Sequence, residues 1–501
     1  MWKSKRRVAL DRQRGHRPDG LDIPPQALDE LRTNFQGRLV GPSDPTYDHA
    51  RQMSNHAFSE WPLLIAYCEV PSDVAACLTL AREHDIWTVV RSGGHSTAGY
   101  SVNTGLVIDM SSFCYAVVDE ENHRAVVGAG TNFGHLNAVL NDYDLHVPGG
   151  GCEDVCVAGY MQGGGFGFTS RPFGMNCDNV EAVRVMLADG SIVVANESTN
   201  SDLYWAIRGG TGNNFGVLLE ITYRLHQLPS VWAFGLRWPI ERAADGLDVM
   251  QRKYMRGGVR DELGYMSFLA NVDGTNELLM RGMVTSGEDM SLLAALERSG
   301  GTVDINQTGS YFEMNRMLLE TPEVPQVPDL GREDKQSAYM ADPLGVGGWQ
   351  QIVDQFVASP NTYSTVVIEP YGGAVASVER TANAFVHREV DCDVFVDVFW
   401  MTDEQHAQVV PYLDDYLDVL HGLSNGHSYQ NYPRRGTVDY RWRYWGGCFD
   451  TLLAVKRKYD PSNFFQFAQS ISAPDGPEPR LGSWGPDLSG SLSEPIVTAA
   501  P

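Results

Sequence analysis

Two glycine-rich segments of this 501-residue chain each carry one reactive side chain. They are Arg91-Ser92-Gly93-Gly94-His95-Ser96, and Gly149-Gly150-Gly151-Cys152 followed by Gly163-Gly164-Gly165-Phe166-Gly167. Glycine lets the backbone approach a ligand closely and adopt positive φ, and successive amides form an anion-binding concavity. An imidazole and a thiol are both nucleophiles able to bond an electrophilic ring. The pattern reads as a large anionic cofactor gripped at two points. No segment fits GxGxxG after a strand and GxxxxGK[ST] is absent, which disfavours a Rossmann dinucleotide site and a P-loop.

The elements that must position these loops alternate between short apolar runs and helical patterns from about 60 to 225. Val70-Pro71-Ser72-Asp73 predicts a strand end running into a helix, continued by apolar positions 74, 77, 78 and 81. Trp87-Thr88-Val89-Val90 predicts the strand that feeds the Ser92–Ser96 loop. Leu106–Met110, Ala125–Gly128 and Val217–Ile221 predict further buried strands, and Gly130-Thr131-Asn132 opens a helix. Glycine clusters thin out between 227 and 425, where alternation over Asp393–Trp400 predicts a strand of an inserted domain. A helix is expected from Phe449 to Tyr459, and residues 473–501, rich in Pro, Gly and Ser, are expected to be an extended tail.

Composition narrows the partners. The 63 acidic residues outnumber the 38 basic ones, a net charge of −25, which repels nucleic acid and anionic membrane surfaces. The basic start (Lys3, Lys5, Arg6, Arg7) is not followed by an apolar signal core, and no apolar run reaches membrane-spanning length. Eight cysteines without a CxxC pair make neither a disulfide scaffold nor a metal motif. A cytoplasmic location, no bound metal, and a small-molecule substrate are therefore the expectations. The oligomeric state is not legible.

The ordered motifs resemble a known family. Val70-Pro71-Ser72-Asp73-Val74 through Ser96 resembles the first FAD-binding stretch of the vanillyl-alcohol oxidase superfamily. Gly151-Cys152-Glu153-Asp154-Val155-Cys156-Val157-Ala158-Gly159-Tyr160 through Gly167 resembles the second stretch in its berberine-bridge-enzyme-like branch. Asn431-Tyr432-Pro433, then Asn463-Phe464-Phe465 and Gln469-Ser470-Ile471, are similar to that branch's closing signature. The likeness spans roughly residues 45–472. It implies an α+β fold: a two-subdomain FAD-binding domain plus a substrate domain with an antiparallel sheet. The expected boundaries are 1–226 and 429–472 for the FAD-binding parts, 227–428 for the substrate domain and 473–501 for the tail.

The resemblance also implies roles. His95 would bond the flavin 8α-methyl and Cys152 the ring carbon C6, giving a bicovalent FAD. Cys156 competes for the second role, since it lies 61 residues beyond His95 against 57 for Cys152. Ser92, Gly93, Gly94 and Ser96 would place amides and hydroxyls on the pyrophosphate, and Arg91 would be a further cofactor-binding residue. Gly159, Gly163, Gly164 and Gly167 would line the second loop, Asn214 and Val217 would back the flavin, and Val155 would stand at the position that admits oxygen. Tyr432 is the implied base. As an ordinary phenol it is a poor one at neutral pH, so a neighbour is expected to lower its pKa. Tyr371, in Ile368-Glu369-Pro370-Tyr371-Gly372-Gly373, is expected beside it, with Glu369 on the same strand face. Arg434 stands where the family often has an acid.

The implied reaction is oxidation of a hydroxyl on a sugar, oligosaccharide or bulky secondary metabolite, with O2 reduced to H2O2. Three alternatives stay open: an amine oxidase or oxidative cyclase, a dehydrogenase with another acceptor, and a flavin-binding protein without turnover.

Overall fold

The computed structural model describes residues 23–256, 260–319 and 331–472. The expected tail at 473–501 and the basic N-terminus lie outside the described residues. The first sheet contains β1 (Arg38–Val40), β2 (Leu64–Tyr67), β3 (Thr88–Arg91) and β4 (Leu106–Asp109) in the order β1-β2-β4-β3. Strands β2, β4 and β3 run parallel, which requires a crossover, and the helix Pro71–Glu83 provides it. Pro71 suits the first helical turn, where its missing N–H costs nothing. Val74, Cys77, Leu78 and Ala81 are all buried on one stripe, as the spacing predicted.

The second sheet is antiparallel, with β5 (Ala116–Asp119), β6 (Arg124–Gly128), β8 (Val180–Met186), β9 (Ile192–Asn196) and β10 (Val217–Arg224) in the order β5-β6-β10-β8-β9. A two-stranded pair, β7 (Leu145–His146) with β11 (His226–Gln227), lies beside it. Asn132 caps the helix Phe133–Asn141 by accepting from the His135 amide, the expected side-chain cap.

The third sheet has seven antiparallel strands: β12 (Val231–Pro239), β13 (Leu263–Val272), β14 (Thr275–Val284), β15 (Thr302–Gly309), β16 (Arg332–Met340), β17 (Thr365–Pro370) and β18 (Cys392–Trp400). Their order is β15-β12-β14-β13-β17-β18-β16. The alternation in β18 is real, but it does not separate core from solvent. Val394, Val396 and Val398 pack in a core that includes Ile352, Val353 and Leu413 from the outer helices Gly345–Val357 and Asp403–Leu423. The polar and aromatic face, Asp393, Phe395, Asp397 and Phe399, is buried too. It faces an internal cavity and the Tyr432 loop instead of bulk water.

The C-terminal segment returns to the N-terminal half. The helix Phe449–Tyr459 buries Lys456, whose Nζ donates to the Asn214 and Phe465 carbonyls and pairs with Asp460 at 2.7 Å. Trp87 Nε1 donates to the Gln466 carbonyl. Among the described residues no helix is long and apolar enough to cross a membrane, and no cluster of three His, Cys, Asp or Glu side chains could hold a metal ion.

Candidate active site

A cavity of about 870 Å3 lies where the inner face of the seven-stranded sheet meets the two glycine loops, a size suited to a cofactor and its substrate. Strand β3 delivers the first loop. At its end Arg91 is buried and pairs with Asp109, its register partner on β4, at 2.5 Å. Arg91 therefore anchors the strand end and does not line the cavity, contrary to the expectation that it would face the cofactor. Beyond it, Ser92, Gly93, Gly94, His95 and Ser96 all line the cavity. Gly94 has φ +74°, and Ser96 Oγ accepts from the Tyr100 amide at 3.0 Å, tightening the turn.

The two glycine segments touch. A Cβ added at Gly93 would sit 2.9 Å from Cys156 Sγ, so only glycine fits there. Cys156 is buried and donates to the Gly130 carbonyl, and burial pushes its thiol up to about 12. Both cysteines border the cavity, but Cys152 is the exposed one. Its thiol is also pushed up, by the surrounding protein first and then by the Asp154 carboxylate, with Lys335 opposing. Asp154, which sequence reasoning passed over, holds His95 through a 2.7 Å contact between Oδ2 and Nε2. That bond to His95 is the main reason its own carboxyl lies below the usual range.

Gly159 lines the cavity, and nothing lies within 4 Å of where its Cβ would project. This is a cradle that a side chain would obstruct and a flat ligand could use. Gly163, Gly164 and Gly167 are needed for packing instead, because each would place a Cβ against Asn431, Phe385 or the Gly149 carbonyl. Asn214 is fully buried: its amide nitrogen donates to the Gly210 carbonyl and Thr211 Oγ1, and its Oδ1 accepts from the Ile471 amide. It staples the C-terminal segment and does not reach the cavity. Val217 is likewise core, whereas Asn213, Gly216 and Leu218 beside them line the wall. Asn213, at φ +58°, exchanges two hydrogen bonds with the backbone of Val90.

The opposite wall carries the acid–base groups. Tyr432 Oη donates to Glu369 Oε1 at 2.8 Å, and both line the cavity with Lys335, Asp397, Phe395 and Val155. Burial, then the Glu369 charge, pushes the Tyr432 phenol well above its ordinary value. The sequence expectation ran the other way. Burial raises Glu369 to about 8, restrained by the Tyr432 hydrogen bond and by Lys335. Of the two groups Glu369 ionises first as pH rises, while Tyr432 keeps its proton, and both face the cavity. Burial works against the Lys335 charge, yet Asp397 (2.6 Å) and Glu333 outweigh it and hold the ammonium protonated. Tyr371 does not line the cavity. It is fully buried, stacks on Phe166 and shares a 3.0 Å hydrogen bond with Tyr339, so it backs the site from behind. Arg434 bridges Asp334 and Asp414, tying the Tyr432 loop to β16.

The donors and shapes around the cavity fit FAD: loop amides from 92–96, the open Gly159 face, His95 and Cys152 on facing segments. Comparison with known proteins agrees. The family described as "FAD binding domain" matches residues 62–196, and that described as "Berberine and berberine like" matches residues 428–472. The uncharacterized FAD-linked oxidoreductase YvdP of Bacillus subtilis is 29% identical over 450 residues, covering 88% of this chain and 98% of that protein. A xylooligosaccharide oxidase of Thermothelomyces thermophilus is 25% identical, covering 89% and 94%. The solved structure of BBE-like 1 from Physcomitrella patens superposes with a TM-score of 0.81 at 26% identity, covering 89% of this chain and 98% of that one.

Proposed function

The chain belongs to the berberine-bridge-enzyme-like FAD-linked oxidoreductases, and from that premise we propose that it is an oxidase acting on a hydroxyl-bearing carbon of an oligosaccharide or a bulky ring-containing metabolite. The observation that carries this reading is the Tyr432–Glu369 pair facing the cavity. FAD supplies the two-electron acceptor. The protein's part is to take the hydroxyl proton: Tyr432 Oη accepts it as its own proton passes to Glu369. The rings of Phe268, Phe395, Phe399 and Tyr363 line the same cavity and suit a substrate with flat or ring faces. A relative named for xylooligosaccharides supports sugars among these. The small Val155 in the wall supports O2 as the final acceptor. Anaerobic mixing with a panel of oligosaccharides, aromatic alcohols and amines should bleach the flavin for a hydroxyl substrate, and air should restore it with stoichiometric H2O2. Bleaching by amines alone, or reoxidation without peroxide, would refute the reading.

The acidic wall of Glu333, Glu369 and Asp397 favours one second reading, a cationic amine substrate. Tyr432→Phe separates the two, since an amine needs no hydroxyl relay and its oxidation would continue at nearly the wild-type rate.

We further propose that His95 and Cys152 both bond the FAD. Their placement on touching segments, with Cys156 turned into the protein, supports Cys152 over Cys156 as the thiol. Acid-precipitated protein should stay yellow. His95→Ala and Cys152→Ala should each retain flavin, and the double variant should release it. Flavin washed out of the wild type by acid would show that neither bond exists.

Gly163→Ala tests the support of Tyr432. The added Cβ would lie 1.9 Å from Asn431 Oδ1, and Asn431 is held by bonds to the Tyr160 carbonyl and Tyr429 Oη. Displacing it moves the adjacent Tyr432. Turnover should fall about a hundredfold, the cost of roughly 1 Å of misplacement, while flavin content is kept. Wild-type turnover would show that the loop absorbs the methyl group.

A further inference from the structure

A second buried carboxyl stands directly beside Glu369, and the reaction described above gives it no role. Asp393 on β18 is the register partner of Glu369 on β17 and of Tyr339 on β16. Directly opposite residues of an antiparallel pair share a sheet face with Cβ atoms about 4.5–5.5 Å apart. Glu369 is 3% exposed and Asp393 0%. Glu369 Oε2 and both oxygens of Asp393 lack a partner within ordinary hydrogen-bond geometry, with only the Ser337 hydroxyl close enough to favour the Asp393 charge, a rare and costly condition for buried acids.

No cation compensates them. The groups facing Glu369 are Tyr432 and Tyr429 from the C-terminal loop, Tyr160 from the helix Val157–Gln162, Tyr371 at the end of its own strand, and Lys335 on β16. Lys335 is already engaged by Asp397, its own register partner, four residues along β18 from Asp393. Asp393 faces Glu369, Tyr339, Tyr371, Tyr432 and its neighbour Cys392, none of them basic. On the other flank of β17, β13 adds Met266 and Phe268 to the cavity wall.

We infer that Glu369 and Asp393 form a carboxyl pair that in its ionised form shares one proton and serves as a single proton-accepting unit behind Tyr432. Two adjacent buried carboxyls with no cation free to neutralise them do not both ionise, so the form able to accept a proton holds one proton and a charge of −1, and it is reached as pH rises through about 8, where Glu369 ionises. In the reaction a proton leaves the substrate hydroxyl for Tyr432, the Tyr432 proton moves to the pair, and the pair goes from one proton and −1 to two protons and zero. It returns a proton to solvent after product leaves. Asp393 is thus a tuning residue that raises the proton affinity of Glu369 through shared charge. Burial, and then Glu369, push the Asp393 carboxyl up, consistent with this sharing.

The inference rests on Glu369 being the proton acceptor, and its test needs no substrate. Infrared spectra of the holoenzyme are recorded against pH, and each variant is subtracted from the wild type so that Asp397, common to all, cancels. A protonated-carboxyl C=O band should persist at pH 7 in the wild type and disappear at higher pH. In Asp393→Asn the remaining Glu369 band should lose its proton one to two pH units lower, a ten- to hundredfold drop in proton affinity, and Glu369→Gln should shift the Asp393 band reciprocally. Flavin absorbance and circular dichroism identify variants that keep the fold, and either variant alone suffices. Band midpoints unchanged by the partner's removal, or no protonated-carboxyl band at pH 7, would overturn the pair. If instead the bands shift as expected but Glu369→Gln oxidises substrate at the wild-type rate, the pair stands and the assignment of the base falls.

Discussion

Glu369→Gln lowers the rate of anaerobic flavin bleaching by about 10²- to 10⁴-fold, the usual worth of a positioned general base, while the amount of bound flavin is unchanged. Glutamine keeps the volume and can still accept from Tyr432, so the loss isolates the proton acceptor. The pH dependence has a definite sign. Glu369 must be ionised to accept, and burial raises it to about 8. The wild-type bleaching rate therefore climbs as pH rises through about 8 and levels off above it. Tyr432→Phe removes the group that contacts the substrate and lowers the rate comparably for a hydroxyl substrate. A pH-independent rate, or an undiminished rate in Glu369→Gln, would show that the proton goes elsewhere.

The same residue costs the fold stability, and the sign again follows from linkage. A carboxyl raised from 4.5 to about 8 binds a proton more tightly when folded. Stability is unaffected below about 4.5, declines as pH rises toward 8, and stays reduced above it. Glu369→Gln removes that penalty. Its unfolding midpoint should gain on the wild type between those limits, by an amount on the order of a few kcal/mol, and a constant difference across pH would contradict the raised value. A site that is more stable when disarmed is what a buried base requires.

The largest expected stability loss lies outside the cavity. Arg388 is 1% exposed and grips Asp178 with two bonds of 2.7 Å, while Asn383 bonds both partners. This clamp joins the segment between β17 and β18 to the start of β8, and so holds the seven-stranded sheet against the N-terminal half. The Arg388 guanidinium also lies over Phe385 at 4.9 Å, the ring that packs near Gly164 and Tyr371. Burial alone would raise the Asp178 carboxyl, but Arg388 outweighs it and keeps it below the usual range. Arg388→Met strands that carboxylate and should cost about 3–5 kcal/mol, read as a lower denaturation midpoint. Asp178→Leu added to Arg388→Met should recover much of the loss, because the uncompensated charge is gone. A single variant as stable as the wild type would mean that the clamp is ornamental.

How much of this was legible in the chain differs from residue to residue. The helix Pro71–Glu83, the strands around 88, 106, 124 and 217, and the helix Phe449–Tyr459 follow from local pattern alone, since proline placement and apolar spacing act within one element. His95, Cys152, Gly93, Tyr432 and Glu369 were visible because their motifs are local and each does line the cavity. Arg91, Asn214, Val217 and Tyr371 sit one residue or one layer away from the cavity, and position in a motif does not say which side of a strand or turn a ligand occupies. Asp154 belonged to a quoted segment and Asn213 adjoins Asn214, but their partners, His95 and the Val90 backbone, are 59 and 123 residues distant.

The acidic wall shows the boundary most clearly. Period-two alternation over 393–400 states that Asp393, Phe395, Asp397 and Phe399 share a face. It does not state what covers that face, and in most antiparallel sheets the polar side meets water. Here the cavity and the Tyr432 loop cover it, which is why burial raises the Glu369 and Asp397 carboxyls and Tyr432 keeps its proton. The amino-acid sequence by itself determined the two cofactor loops, their reactive side chains and the elements that carry them. Only the tertiary structure decided which carboxyl is raised and which phenol keeps its proton, because a pKa depends on burial and on neighbours brought together from Tyr432, Glu369, Asp393 and Lys335, residues far apart along the chain.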